Sequence, residues 1–346
     1  MDSRLPPIQI LSKSSWKGKQ AVIHPLKLAT ESPCIIQMNT GVQGMEWPAY
    51  RDLYQAGILQ ERAEEIYQKL ECCDLCPRNC QVNRLKGEIG SCGVGELAWV
   101  SSHGPHHGEE APLRGRYGSG TIFLSGCNLS CVYCQNAEIS QKLSGRPVTP
   151  QELGSYMLEL QALGCHNINL VSPTHVAGQI ARAIAWAAEG GLSLPIVYNS
   201  GGYDKLETLA LLDGIVDIYM PDMKYSQAEK GERYSGVPDY PRVNQEAVLE
   251  MHRQVGDLVL DSSGIARRGL LIRHLVLPAG LAGSSGILCF IAERISRHTY
   301  LNIMDQYHTA YQAWQYPELD RRISRDEYQA VVREAKYLGF ERLDLA

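Results

Sequence analysis

Short apolar runs alternate with amphipathic stretches from Thr121 onward, and this alternation restricts the fold more than any other feature. The six runs, each of strand length, are Thr121–Ser125, Asn167–Ser172, Pro195–Ser200, Ile215–Pro221, Leu270–Leu277 and Tyr300–Asp305. Helical patterns separate or follow them near residues 150–163, 176–189, 205–212, 244–255, 285–296 and 324–338. Six strand–helix units predict an α/β fold with a parallel sheet, either open or curled into a partial (β/α)6 barrel. Thr149-Pro150 and Ser324 are the kinds of residue that begin helices.

The first 120 residues differ from this pattern, and we expect three regions. Residues 1–71 form an N-terminal extension, with a helical pattern from about Ala49 to Leu70. Residues 72–120 are rich in Cys, Gly and His with weak periodicity, which predicts a loop-dominated, Cys-rich metal-binding module. Residues 121–346 form the barrel.

Charge and apolar content exclude some function classes. The chain has 346 residues and a formal net charge of -5, so no strong basic field favours nucleic acid. The start of the sequence has no apolar signal segment, and no run approaches membrane-span length, which predicts a cytoplasmic protein without a membrane partner. In that reducing compartment the eleven cysteines favour metal ligation over disulfides.

Three cysteines, Cys127, Cys131 and Cys134, follow the first predicted strand with Cys-x3-Cys-x2-Cys spacing. A strand-to-helix loop is where barrels carry their chemistry, and soft thiolates favour an iron–sulfur cluster or zinc. Three ligands would leave one position of a cluster open to bind a small molecule, as an open position marks a catalytic zinc. Zinc and incidental buried thiols are the alternatives.

The cysteine loop, with Tyr133 before its last cysteine, resembles the signature of the radical S-adenosylmethionine superfamily. The resemblance extends from about Cys73 to Phe340, and there the chain is similar to uncharacterised proteins labelled as pyruvate formate-lyase activating-enzyme homologues. The segments that carry it are Tyr133–Asn136, Asn167–His175, Tyr198–Tyr203, Asp217–Lys224 and Asn302–Tyr307. The resemblance implies a TIM-like partial barrel, a [4Fe-4S] cluster on Cys127, Cys131 and Cys134, and S-adenosylmethionine on the open iron.

The resemblance also implies which residues bind S-adenosylmethionine at the strand ends: Tyr133, Asn136, Ser172, Asn199, Ser200, Asp222 and Lys224. In the activating enzymes the residue corresponding to Asp222 helps to bind a monovalent cation, and Met220 and Ser200 match two further contributors. Asn199 stands where those enzymes have an aspartate, which puts the cation in question. Lys224 could instead bind a carboxylate directly, or form a salt bridge with Asp222 or Asp217. No catalytic side chain is assigned.

Arg273 and His274 lie in the fifth strand run, so one side chain should point into the barrel and the other toward the helices. A buried arginine needs an anionic partner, which could be a cofactor or substrate carboxylate or an acid such as Asp222.

Four further cysteines, Cys73, Cys76, Cys80 and Cys92, can close a second metal site, and Cys72 is a spare. A closed site is structural or relays electrons. Zinc and an auxiliary iron–sulfur cluster remain equal alternatives, with free loop thiols as a third.

Other isolated groups are ambiguous. His103, His106 and His107 bind metal or substrate, or belong to a polar surface loop. The separate cysteines are interpreted as structural thiols: Cys34, Cys165 and Cys289.

The sequence therefore predicts reductive cleavage of S-adenosylmethionine to a 5′-deoxyadenosyl radical that abstracts hydrogen. The substrate is a glycyl-radical protein in one hypothesis, and a small molecule or peptide in a second. A flavodoxin- or ferredoxin-like protein is the expected electron donor. A zinc-binding structural or adaptor protein is the rival from another class.

Overall fold

The computed structural model describes residues 48–345. Its strands are β1 (Ala98–His106), β2 (Ser119–Ser125), β3 (Arg146–Val148), β4 (Ile168–Val171), β5 (Ile196–Ser200), β6 (Ile218–Pro221), β7 (Val259–Leu260), β8 (Ala266–Leu275), β9 (Tyr300–Met304) and β10 (Leu343–Leu345). Its α-helices are α1 (Tyr50–Gln55), α2 (Ile58–Gln68), α3 (Ala111–Arg114), α4 (Ala137–Ser140), α5 (Pro150–Ala162), α6 (Ala177–Glu189), α7 (Leu206–Leu212), α8 (Ala228–Ser235), α9 (Tyr240–Val255), α10 (Ser284–Phe290) and α11 (Arg325–Tyr337).

One sheet runs through the described part of the chain in the order β10-β9-β8-β6-β5-β4-β2-β1-β3, and β7 pairs with β8. The six predicted strands are β2, β4, β5, β6, β8 and β9, and neighbouring members of this set pair in parallel. Helices follow these strands in the chain. The fold is therefore the predicted α/β type with six parallel strand–helix units, as in a partial (β/α)6 barrel.

The predicted helix starts are confirmed. Thr149 and Ser324 each accept a hydrogen bond from the backbone N–H of a glutamate three residues later, and that glutamate bonds back to the cap. This reciprocal capping box satisfies backbone donors that the first turn of a helix leaves free. The long helical pattern before residue 70 divides into α1 and α2 at Gly57, whose φ of 73° ends the first helix.

The first 120 residues differ from the expected organisation. Strand β1 pairs antiparallel with β2, and β3 pairs antiparallel with β1. Residues 98–106 therefore belong to the sheet, and the boundary drawn at residue 121 falls inside β2. Sequence periodicity did not reveal β1 because the segment holds Gly104-Pro105 and interspersed histidines.

Helix α2 packs on α6. Their backbones come close because a Cβ at Gly178 would stand only 3.0 Å from Tyr67 Cα. Residues 1–47 of the predicted extension lie outside the described residues.

No helix within residues 48–345 is long and apolar enough to cross a membrane.

Candidate active site

The loop after β2 is fixed by backbone hydrogen bonds to other parts of the chain. Ser130 N–H donates to the Ser235 carbonyl (3.1 Å) and Val132 N–H to the Tyr234 carbonyl (2.9 Å), both at the end of α8. Gly126 opens the loop with φ of 87°, and a Cβ there would lie 2.7 Å from the Cys92 carbonyl oxygen. The loop conformation therefore depends on α8 and on the upstream cysteine segment.

The three loop cysteines are buried or half-buried and free of disulfides. Each sulfur has a neighbour at hydrogen-bonding distance: Cys131 Sγ lies 3.0 Å from Ser235 Oγ, Cys134 Sγ lies 3.1 Å from Ser140 Oγ, and Cys127 Sγ accepts from Leu129 N–H at 3.4 Å. Burial raises the pKa of Cys127 to about 12 and also raises the pKa of Cys131. Lys224 acts against this rise, and further positive charge, such as a metal, would favour the ionised thiols.

A single cavity collects the polar ends of the parallel strands opposite the cysteine loop. It is lined by the three cysteines and by all seven residues predicted to bind the cofactor: Tyr133, Asn136, Ser172, Asn199, Ser200, Asp222 and Lys224. Parallel strands bring their carboxyl ends to one edge, which is why side chains distant in sequence meet there. Their roles as cofactor contacts stay a prediction.

A charged network crosses this cavity. Arg273 donates from Nε to Asp222 Oδ1 (2.9 Å) and from Nη2 to Asn199 Oδ1 (2.8 Å), and Lys224 Nζ lies 2.6 Å from Asp222 Oδ2. Burial raises the pKa of Asp222, but the charges of Arg273 and Lys224 outweigh this and leave it below its ordinary value. The Lys224–Asp222 salt bridge is thus formed, and Asp222 is the anionic partner of Arg273.

The network bears on the monovalent cation that the resemblance implies. The Arg273 guanidinium occupies the space between Asp222 and Asn199 and supplies a positive charge from within the chain. Met220 does not line the cavity and packs in the barrel interior instead. The Ser200 hydroxyl donates to Asp204 Oδ2 at 2.7 Å. A monovalent cation bound between Asp222 and Asn199 would therefore be repelled by the positive charge of Arg273.

Two residues of the predicted pattern point away from the cavity. His274 lies 2.8 Å from both the Met223 carbonyl and Ser284 Oγ, on the face of β8 opposite Arg273. Asp217 accepts from the N–H groups of Ala49 (2.9 Å) and Ile196 (3.0 Å), far from Lys224. Strand alternation separates Arg273 from His274 as expected.

Two contacts of the cysteine loop were not predicted. Tyr225 Oη donates to Tyr133 Oη (2.6 Å) and lies 2.9 Å from Ser235 Oγ, which in turn reaches Cys131. Tyr225 and Ser235 follow β6 by several residues and are not at a strand end, so the rule that located the other residues passed over them.

The upstream cysteines Cys73, Cys76, Cys80 and Cys92 line a second, smaller cavity together with Arg84 and His175. Cys72 is exposed. Burial raises the pKa of Cys76 to about 12 and also raises the pKa values of Cys73 and Cys92. Within residues 48–345, however, no three His, Cys, Asp or Glu side chains form a group that could hold a metal ion.

Arg84 is the most informative residue beside these cysteines. Its side chain is fully buried, with Nη1 donating to the His175 carbonyl (2.7 Å) and lying 3.7 Å from Cys73 Sγ. Within residues 48–345, its Nη2 has no hydrogen-bond partner. A buried guanidinium without an acidic partner is costly, so negative charge on the cysteines would stabilise it.

The three histidines that are close in sequence do not share a site in the structure. His103 stacks on Tyr156 and lies 3.1 Å from Glu159 Oε2, His106 lies 3.2 Å from Glu109 Oε1, and His107 is exposed. Cys165 is buried and Cys289 half-buried, as expected of structural thiols. Cys34 lies outside the described residues.

Comparison with known proteins adds one clear relative. No protein-family model matches the chain. An uncharacterised protein of Methanocaldococcus jannaschii is 31% identical over 286 residues, which cover 80% of this chain and 77% of the relative. The crystal structure of Streptococcus suis SuiB bound to precursor peptide SuiA aligns with a TM-score of 0.44 and 9% identity. That alignment covers 64% of this chain and less than half, 46%, of SuiB.

Proposed function

The chain belongs to the family of the uncharacterised Methanocaldococcus jannaschii protein, and from its own site we propose that it is a radical S-adenosylmethionine enzyme. The observation that carries the proposal is the shared cavity, in which three cysteines of one loop face polar side chains from the carboxyl ends of the parallel strands. Three thiolates suit a [4Fe-4S] cluster that keeps one iron open. When bound and reduced, the cluster and S-adenosylmethionine supply a 5′-deoxyadenosyl radical that abstracts hydrogen from the substrate.

The donor set fits these groups. Buried thiols with raised pKa values require the positive charge that iron would bring. Asp222, Lys224 and Arg273 together carry a net charge of about +1, which suits the carboxylate of an amino-acid moiety. In this proposal Lys224 binds that carboxylate, and the backbone near Tyr133 contacts the adenine.

The remaining lining residues hold the site in shape and exclude water. Leu129, Val171, Leu275 and Met304 give the cavity its apolar wall. Arg273 holds Asp222 and Asn199 in place from the side opposite Lys224. An apolar, enclosed wall keeps water away from a reactive species and strengthens the charge interactions inside.

We propose a second, closed metal site on Cys73, Cys76, Cys80 and Cys92. The buried Arg84 supports it, because four metal-bound thiolates would provide the negative charge that the guanidinium lacks. Zinc and an auxiliary iron–sulfur cluster are the two alternatives for what this site holds.

The test is anaerobic reconstitution of the full chain with iron and sulfide, followed by S-adenosylmethionine and dithionite. We expect 5′-deoxyadenosine, measured by chromatography. Cys131→Ala should abolish it, whereas Cys72→Ala, which alters an exposed thiol outside the cavity, should leave it unchanged. A colourless wild-type protein that forms no 5′-deoxyadenosine would instead support the zinc-binding adaptor.

The molecule that meets the radical is a glycyl-radical protein in one form of the proposal, and a small molecule or peptide in the other. A flavodoxin- or ferredoxin-like protein is the proposed electron donor. Incubating the loaded enzyme with a candidate glycyl-radical protein distinguishes the two forms, because only the first gives a stable glycyl radical in the electron paramagnetic resonance spectrum.

A further inference from the structure

A third cavity, of about 230 Å³, adjoins the candidate active site. Arg273, Met304 and Gln306 line both cavities and form their common wall. The segment after β1 and strands β9 and β10 provide the other residues that line the third cavity: Gly108, Glu109, Glu110, Ala111, Arg114, Asn302 and Asp344. Only the side chains of Arg273, Met304 and Gln306 would therefore separate a group bound here from the candidate active site.

Two consecutive carboxylates dominate this cavity. Glu110 is 8% exposed, and its Oε1 accepts from Asn302 Nδ2 at 2.8 Å. Its Oε2 is buried and has no hydrogen-bond partner in the described part of the chain. The Glu109 side chain is also 8% exposed, and its Oε1 lies 3.2 Å from His106 Nδ1. A buried carboxylate oxygen without a donor is unfavourable, so the site favours a ligand that donates to it.

The described cations near this pair of glutamates form no hydrogen bond with Glu110. Arg273 attracts both glutamates, but its hydrogen bonds go to Asp222 and Asn199 in the neighbouring cavity. Arg114 is exposed. Within residues 48–345, no lysine or arginine nitrogen lies within salt-bridge distance of Glu110. Burial is the largest influence on Glu109 and raises its pKa, although Arg273 and His106 act in the opposite direction.

We infer that Glu110, with Glu109 beside it, binds an organic ammonium group, and that this group belongs to the substrate of the adjoining site. Glu110 Oε2 is closed off from the cavity as the side chain stands, so a rotation of the carboxylate would bring it to the ammonium. The wall of Met304 and Gln306 would separate the ammonium from the cysteine loop. Only the assignment to the substrate rests on the proposed function, because cation binding itself needs no turnover. The ammonium comes either from a small amine or from the side chain of a lysine in a peptide.

The experiment measures binding to the anaerobically reconstituted full chain by calorimetry at constant ionic strength. The probes are n-butylammonium and the peptide acetyl-Gly-Lys-Gly-amide, each compared with a neutral analogue, n-butanol and acetyl-Gly-norleucyl-Gly-amide. We expect at least one cation to bind tenfold or more tightly than its neutral analogue. Binding of both cations indicates a small-amine site, and binding of the peptide alone indicates a lysine side chain.

Glu110→Gln should weaken cation binding at least tenfold, because it removes the charge and keeps an oxygen for Asn302. Glu109→Gln should also weaken it and serves if the first variant does not fold. Glu341→Gln, which alters an exposed partner of His298, should bind as the wild type does. Equal binding of cations and neutral analogues, or unchanged binding by both cavity variants, overturns the inference.

The same samples separate this inference from the proposed function. Iron content and 5′-deoxyadenosine are measured beside the calorimetry. Production of 5′-deoxyadenosine without cation binding contradicts the inference alone, and cation binding without 5′-deoxyadenosine contradicts the proposed function alone.

Discussion

Asp222 is the residue on which the charged part of the candidate site depends. Its carboxylate accepts hydrogen bonds from two half-buried cations, Lys224 and Arg273. A buried pair gains little net stability over an apolar replacement, but removal of one partner leaves charge uncompensated. Here two positive charges would be left together.

We predict that Asp222→Asn lowers the free energy of unfolding by roughly 3–5 kcal/mol, measured by guanidinium chloride unfolding of the full chain. The pKa of Asp222 is lowered in the fold, so its stabilisation is fully present above its unfolded pKa and is lost as the pH falls through the folded pKa. The difference in unfolding free energy between the wild type and Asp222→Asn should therefore become smaller as the pH falls.

The control for this prediction is Glu246→Gln, which breaks an exposed pair with Arg242. Surface pairs contribute about 0–1 kcal/mol. A similar loss in both variants would show that Asp222 is no more important than a surface acid.

Residue positions at strand ends could be predicted from the sequence, and those fixed by distant loops could not. Ser172, Asn199 and Asp222 follow apolar runs, and parallel pairing places such residues at one edge. Arg84 touches Cys73 from a turn in the same upstream segment, and Ser235 touches Cys131 from a helix end distant in sequence. No periodic pattern encodes those contacts, because they depend on how separate segments pack.

At the scale of elements, a single buried acid joins the first described helices to the barrel. Asp217, just before β6, accepts from the N–H groups of Ala49 and Ile196. Burial is the largest influence on Asp217 and raises its pKa to about 7. The six strands and their helices were predictable from their apolar period, whereas this link was not, because it pairs a side chain with backbone groups.

Asp217 should make stability depend on pH. Its folded pKa lies above its unfolded value, so the folded state binds the extra proton between about pH 4 and pH 7, and stability falls as the pH rises through this range. Asp217→Asn lacks this titration. Its deficit relative to the wild type, from denaturant unfolding, should be smaller at pH 8 than at pH 5. A deficit that grows with pH would contradict the raised pKa.

At the scale of the whole molecule, the segment that carries the upstream cysteines contacts the loop that carries Cys127, Cys131 and Cys134. Gly126, which opens the active-site loop, approaches the Cys92 carbonyl, and Arg78 Nε donates to the Asn128 carbonyl at 2.8 Å. The two proposed metal sites use different ligands, so a metal bound at either one should be separately removable even though the two segments touch.

We predict that Cys76→Ala loses the second metal but keeps the cluster of the active-site loop, and that Cys131→Ala does the reverse. Metal analysis of anaerobically reconstituted protein should show about four irons fewer per chain in each variant if both sites hold [4Fe-4S] clusters. Cys72→Ala should match the wild type. Equal metal content in Cys76→Ala and the wild type would remove the second site from the proposal.

The sheet also bears on how the protein behaves at high concentration. Its outermost strands, β3 and β10, contain three residues each, and β3 carries Pro147, which has no N–H to offer. Long, unprotected edges allow chains to add to one another as in fibrils, and short or proline-containing edges oppose this. A crowded solution of folded chains should therefore resist self-assembly through this sheet.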